Sequence, residues 1–212
     1  LRLTIKRKIY AHVISLHFHL LHTLIVLPAT RLSVPPFVRV PPMAASRLMS
    51  QLNELSEHPT DGFAVRGLVG NNIYKWLLVV FGPPDTPYEG GTFMAQLDFP
   101  RSYPRHPPTM RFLTDVFHPN VSENGFVCIS ILHAPGADPF GVENASERWQ
   151  SIHTVESIVI SVQSMLAEPN FQSPANVAAS VMFRNEPEMY NERLRQCVKL
   201  SNETFEQEEQ RE

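Results

Sequence analysis

The chain has 212 residues, of which 43% are hydrophobic and 18% are charged, and its formal net charge is −3. A chain of this length favours a single domain with one core. The charge is uneven, because residues 1–44 hold six basic and no acidic residues, and residues 45–212 carry a charge of about −9. Nucleic acid is therefore not the expected partner, since its phosphates require clustered basic side chains.

The chain has only two cysteines, Cys128 and Cys197. Two thiols cannot form a disulfide framework, and the sequence shows neither a CxxC motif nor a Cys/His spacing typical of structural zinc. This usage indicates a reducing compartment. We expect no bound metal.

The first 44 residues differ from the rest of the chain. Residues 9–27 are largely apolar and follow a basic triplet at 6–8, which is the outline of a signal peptide or anchor, although four histidines dilute it. The alternative, which we favour, is a disordered or non-native extension, because the first methionine is Met43. Several prolines at 28–42 favour an irregular linker.

The predicted domain begins with a short amphipathic helix at residues 45–57. Leu48, Leu52 and Leu55 share one helical face, and Pro59 follows the run. Strand-like runs come next, and the short turn-rich connections between them favour an antiparallel meander. The predicted strands are residues 63–69, 74–81, 92–99 and 109–113.

The pattern then becomes helical. Apolar residues recur at helical spacing from Val155 to Leu166, with Thr154 as the N-cap and Glu168-Pro169-Asn170 as the stop. Two further helices are predicted at residues 174–184 and 187–205, followed by an acidic tail at 206–212.

Strands followed by helices predict an α+β fold. It consists of a four-stranded antiparallel meander sheet with an N-terminal helix and three C-terminal helices. The predicted domain spans residues 45–205, after an extension at 1–44.

A candidate nucleophile lies in the irregular stretch before the C-terminal helices. Cys128 follows His118-Pro119-Asn120 by eight residues, and Tyr103-Pro104-Arg105-His106-Pro107-Pro108 precedes both. On composition alone, a single cysteine is more often a small buried hydrophobic residue than a nucleophile. The order and spacing of these motifs, however, resemble the catalytic domain of ubiquitin-conjugating enzymes. The resemblance covers roughly Ala45 to Phe205 and implies their fold.

The segment after Cys128 resembles one subfamily of these enzymes more narrowly. That subfamily serves degradation at the endoplasmic reticulum membrane and has an extra loop after its cysteine. Here the stretch from His133 to Arg148 has 16 residues. Irregular loops longer than about 12–15 residues are uncommon and are usually functional or disordered.

The resemblance implies a reaction. Cys128 would accept ubiquitin as a thioester from the activating enzyme, which consumes the ATP, and a RING-type ligase would direct transfer to substrate lysines. Polyubiquitin chains for proteasomal degradation would be the product. No cofactor would be bound. We expect a cytoplasmic enzyme that acts at the cytosolic face of the endoplasmic reticulum and reaches the membrane only through partners.

Three alternatives compete with this interpretation: an inactive ubiquitin-binding variant, an enzyme for another ubiquitin-like modifier, and an unrelated cysteine hydrolase. Inactive variants lack the cysteine, which is present here. A hydrolase needs a base within hydrogen-bond reach of its thiol. The sequence shows no such base, because His133 is near Cys128 only in sequence.

The resemblance also implies roles for single residues. Asn120 would hold the loop or donate its amide to the oxyanion, or it would simply cap a turn. Ser173 stands where many members carry an acid that orients the lysine, so it would position the amine or cap the next helix. His118 would be structural. In the long loop, His133 is a candidate gate over the cysteine, and the candidates to attract a lysine-bearing acceptor are Asp138, Glu143 and Glu147.

The resemblance places three surfaces. Arg47 on the first helix would face the activating enzyme, and Val65 would be exposed on the rear face of the sheet. Cys197 lies among residues with a helical pattern, and we expect it to be a packing residue. Arg105 stands where an apolar residue is common in the family, and Ser151 stands where a proline is common. The predicted ligase-facing residues are Pro104, Arg105, Ser151 and Ile152.

Overall fold

The computed structural model of the chain describes residues 42–139 and 141–211. Four strands form one antiparallel sheet in the order β1-β2-β3-β4. The predicted α+β fold is therefore confirmed. The elements in chain order are α1 (Met43–Glu57), β1 (Phe63–Leu68), β2 (Lys75–Phe81), β3 (Thr92–Asp98), β4 (Thr109–Phe112), α2 (Val155–Ala167), α3 (Val177–Asn185) and α4 (Pro187–Arg211).

Helix ends differ from the predicted ones. Helix α1 begins at Met43, and α4 continues to Arg211, so residues 206–211 of the predicted tail are helical. Helix α3 begins later than predicted because Asn176 is its N-cap, accepting a hydrogen bond from the Ala179 amide. The predictions on residues 1–41 lie outside the described part of the chain.

No helix within residues 42–139 and 141–211 has both the length and the apolar character needed to cross a membrane.

The main core lies between the inner face of the sheet and α2. Trp76 and Leu78 of β2 are fully buried, as are Ile158 and Val162 of α2. A capping box starts α2, in which Thr154 and Ser157 exchange side-chain hydrogen bonds with each other's backbone amides. The start of α2 is thereby fixed next to the irregular segment that precedes it.

The outer face of the sheet is covered by the C-terminal part of α4. Phe205 is buried there, and the Arg66 guanidinium lies 5.7 Å from its ring centroid. Asn202 ties the helix to β3, because its Oδ1 accepts from the Thr92 amide at 2.9 Å and its Nδ2 donates to Gly90 O at 3.1 Å. The apolar side chains grouped with Phe205 are Ala64, Val79, Phe81 and Met94.

The prediction that Val65 is exposed on this outer face is wrong. Side chains alternate along a strand, and Val65 shares the inner face with Phe63 while Ala64 points outward. Val65 is only 6% exposed. It therefore belongs to the core.

Candidate active site

Cys128 lies in the irregular chain between β4 and α2. The bridge between Val121 and Val127 holds the preceding residues, and the Cys128 amide donates to Asn120 O at 2.9 Å. The residue is exposed, and its thiol forms no disulfide. It lines a cavity of about 810 Å³ together with Ser173. The thiol is therefore open to a large reactant.

His133 contacts the Cys128 thiol. A turn of 3₁₀ helix at Ser130–Leu132 brings the chain back, so that His133 Nε2 lies 3.5 Å from Cys128 Sγ. On the other side of the ring, Nδ1 lies 2.8 Å and 2.9 Å from the two carboxylate oxygens of Glu143. The expectation that His133 is near Cys128 only in sequence is wrong, because this turn folds the ring back over the sulfur.

Glu143 fixes the orientation of the imidazole. A carboxylate accepts only, so His133 Nδ1 carries the proton, and in the neutral ring Nε2 is then an acceptor that faces the thiol. Ser130 Oγ also donates to Glu143, at 2.8 Å. The result is a chain of contacts from Cys128 through His133 to Glu143.

An ion network holds the long loop in place. Arg148 Nη1 lies 2.9 Å from Glu143 Oε2 and 3.3 Å from Asp138 Oδ1. Asp138 Oδ2 also accepts from the backbone amides of Val142 and Glu143. The side chains of Arg148 and Asp138 are only 11% and 8% exposed. The ion network is therefore largely buried, unlike a solvent-exposed surface ion pair.

The thiol itself is not activated in the resting state. Burial raises the pKa of the Cys128 thiol, and the negative charge of Glu143 raises it further. Burial alone would also raise the pKa of the Glu143 carboxyl, but hydrogen bonds from His133 and Ser130, together with electrostatic attraction to His133 and Arg148, lower it overall. Glu143 is thus a carboxylate beside a protonated thiol at neutral pH.

Asn120 ties two segments together. Its side-chain Nδ2 donates to Asn170 O at 2.7 Å, and its Oδ1 accepts from the Asn170 amide at 2.8 Å. Its own backbone amide donates to His118 Nδ1 at 2.9 Å. His118 is fully buried, and burial lowers its pKa to about 4, so the ring is neutral. These are structural contacts next to the thiol.

Of the two roles considered for Ser173, capping is wrong. The cap of α3 is Asn176, and Ser173 instead lies exposed on the wall of the Cys128 cavity. Glu147, also on this wall, accepts a hydrogen bond from Asn144 at 2.8 Å.

The predicted ligase-facing residues lie on two loops that meet. Trp149 is buried, and its Nε1 donates to Pro104 O at 2.7 Å. Arg105 and Ser151 are exposed, as is Ile152 at 75%. In α1, Arg47 Nη2 donates to Ser151 O at 3.1 Å, so the residue predicted to face the activating enzyme also supports a ligase-facing loop.

Sequence reasoning missed Ser130 and Arg148, the two residues that share Glu143 with His133. The available signal was one arginine in a loop with three acidic residues, which predicts an ion pair but not its partners. Within the described residues, no group of three or more His, Cys, Asp or Glu side chains could hold a metal ion.

A four-stranded meander with this set of helices and an exposed cysteine beside the His-Pro-Asn turn is the arrangement of ubiquitin-conjugating enzymes. The family model described as ubiquitin-conjugating enzyme matches residues 47–198. The chain belongs to this family and is an E2 enzyme, an acyltransferase that works with ubiquitin, an activating enzyme and ligases.

Individual relatives agree with this assignment. The chain is 51% identical over 158 residues to ubiquitin-conjugating enzyme E2 13 of Arabidopsis thaliana, covering 74% of this chain and 95% of the relative. It is 47% identical to E2 15 of Schizosaccharomyces pombe over 165 residues, or 77% and 99% of the two chains. It is 46% identical to human E2 G2 over 158 residues, or 74% and 96%.

Proposed function

We propose that Cys128 is the residue that carries ubiquitin. Its thiol attacks the activating enzyme's thioester, takes over the acyl group, and later gives it to a lysine amine. The observation that carries this proposal is the exposure of Cys128 on a cavity of about 810 Å³. Cys197 is fully buried in α4 and is not available for a protein tail.

Asn120 and Ser173 serve the transfer step in this proposal. The Asn120 amide group has two N–H bonds, and one donates to Asn170 O, so the second is the one that would donate to a developing oxyanion. Ser173 lines the same cavity and positions the lysine amine by hydrogen bonding. In the unloaded enzyme, His133 shields the thiol as a gate.

The finer assignment concerns the product and the place of action. We propose that the enzyme works with RING-type ligases at the exposed Ile152 surface and builds polyubiquitin chains for proteasomal degradation. It would act in the cytoplasm, at the cytosolic face of the endoplasmic reticulum. The 16-residue loop after the cysteine supports this, because such a loop marks the subfamily that the sequence resembles. Exposed Glu147 on the cavity wall suits a basic acceptor.

Loading the full chain with activating enzyme, ATP and ubiquitin tests the proposal. We expect a covalent adduct that reducing agents cleave and that Cys128→Ser cannot form, because a serine gives an oxygen ester that survives reduction. Cys197→Ala is the matched control and should load like the wild type. A reducible adduct on Cys128→Ser, or none on the wild type, would contradict the proposal. The same assay with other ubiquitin-like proteins tests the modifier.

A further inference from the structure

We propose that His133 is the general base and then the general acid of the transfer step, and that Glu143 is its positioning residue. This inference rests on the proposed role of Cys128 as the acyl carrier. It concerns the loaded enzyme, in which the sulfur no longer has a proton to donate and His133 Nε2 is released from the thiol.

The position of Nε2 suits this role. It lies 3.5 Å from the sulfur that bears the acyl group, so a nucleophile approaching the adjacent carbonyl carbon comes within hydrogen-bond reach of the same nitrogen. The His133 side chain is 33% exposed on the cavity side, whereas Glu143 is 18% exposed behind it. The ring can therefore meet a substrate while the carboxylate stays in place.

The orientation of the ring is fixed before the substrate arrives. Glu143 accepts from Nδ1, which leaves Nε2 as the basic nitrogen, and it can stabilise the imidazolium that forms later. Glu143 is itself held by Ser130 and Arg148. The charged or titratable groups around the imidazole are Cys128 and Glu143 in contact with it, Arg148 and Asp138 in the ion network, and Glu147 and Glu168 on the cavity wall.

The transfer step balances with these groups and solvent. The lysine ammonium first loses one proton to solvent. The neutral nitrogen then forms a bond to the acyl carbon, the carbonyl electron pair moves to oxygen, and a second proton of the nitrogen passes to His133 Nε2. When the carbonyl re-forms, the carbon–sulfur bond breaks and the sulfur takes the proton from Nε2. The products are an isopeptide amide and the free Cys128 thiol.

The return of that proton matters at this site. Burial and the nearby Glu143 carboxylate raise the pKa of the Cys128 thiol, which makes its thiolate an unfavourable leaving group. An acid beside the sulfur removes this disadvantage as the bond breaks. Ser173 has a hydroxyl that does not act as a base at neutral pH, so proton removal falls to another group.

Single-turnover discharge of the preloaded full chain tests the inference. After loading and quenching of the activating enzyme, free lysine or hydroxylamine is added without ligase, and loss of the adduct is followed. Lysine has a strongly basic nitrogen, which holds its proton after attack and so depends on a base, whereas the much less basic nitrogen of hydroxylamine loses its proton readily to water. We expect His133→Gln to load normally but to discharge to lysine about 10²-fold more slowly, with a much smaller loss toward hydroxylamine.

Two further variants complete the design. Glu143→Gln keeps an acceptor for Nδ1 without the charge. Its discharge rate should fall by an intermediate amount and, as for His133→Gln, should fall more with lysine than with hydroxylamine. His58→Gln changes an exposed histidine just after α1 and should behave as the wild type.

The outcomes separate the possibilities. Equal losses toward both nucleophiles would show loop damage and overturn the inference. Unchanged or faster discharge of His133→Gln would show that His133 only shields the thiol, and it would overturn the inference too. Failure of the wild type to load would instead overturn the proposed function.

Discussion

The two cysteines of this enzyme share two causes of a raised pKa but differ in accessibility. Burial raises the pKa of both thiols, and each has an acidic neighbour that raises it further, Glu143 for Cys128 and Asp115 for Cys197. Cys128 is nonetheless exposed on a cavity, whereas Cys197 is fully buried in α4. Access and a histidine contact, and not a lowered pKa, therefore distinguish the proposed carrier from the packing residue.

The largest expected difference is in alkylation of the native chain. Iodoacetamide should alkylate Cys128 readily. The alkylation of Cys197 should be about 10³-fold slower or more, because Cys197 reacts only when the domain opens. Since its pKa is raised, the Cys128 rate should keep increasing with pH beyond the range of an ordinary thiol. Mass spectrometry of the labelled peptides measures the alkylation rates of the two cysteines at each pH. Equal labelling of Cys128 and Cys197 under native conditions would contradict the expected difference in accessibility.

A smaller difference is expected in stability. Cys197→Ala removes a buried sulfur and should lower the free energy of unfolding by about 1–2 kcal/mol. Cys128→Ala removes an exposed sulfur and should change it by about 0.5 kcal/mol or less. Urea unfolding of both variants makes the comparison. A larger loss at Cys128 would mean that its contact with His133 supports the fold.

The smallest expected effect comes from removing the acidic neighbours. Glu143→Gln removes a negative charge that raises the pKa of Cys128, so that pKa should fall and alkylation near neutral pH should become severalfold faster. Asp115→Asn should leave Cys197 unreactive, because burial still limits access. Glu147→Gln, in the same loop but bonded to Asn144, is the control. If Glu147→Gln increased the alkylation rate of Cys128 as much as Glu143→Gln, the cause would be greater mobility of the loop and not the lost charge.

Much of the fold was predictable because its patterns are local. Strand runs between turn residues predicted all four strands, and the apolar spacing from Val155 to Leu166 predicted α2. The errors concern the exposure of one strand residue and the first residue of one helix, each of which depends on a single position. Val65 was assigned to the outer face although strand alternation places it inside, and Asn176 set the start of α3.

The arrangement around the thiol was harder to predict. Motif spacing pointed to Cys128 and Asn120, but the contact with His133 depends on a 3₁₀ turn without a strong sequence signal. The position of Glu143 depends on Arg148, five residues further along an irregular loop. Such long-loop geometry results from a network of charged contacts and not from periodicity.

The end of α4 has a practical consequence for anyone who shortens the protein. The family match stops at residue 198, which invites a truncated version that lacks Asn202 and Phe205. Without them, the sheet would expose a hydrophobic patch to solvent, made of Ala64, Val79, Phe81 and Met94. A preparation cut at that point would self-associate, and its behaviour would say little about the intact enzyme.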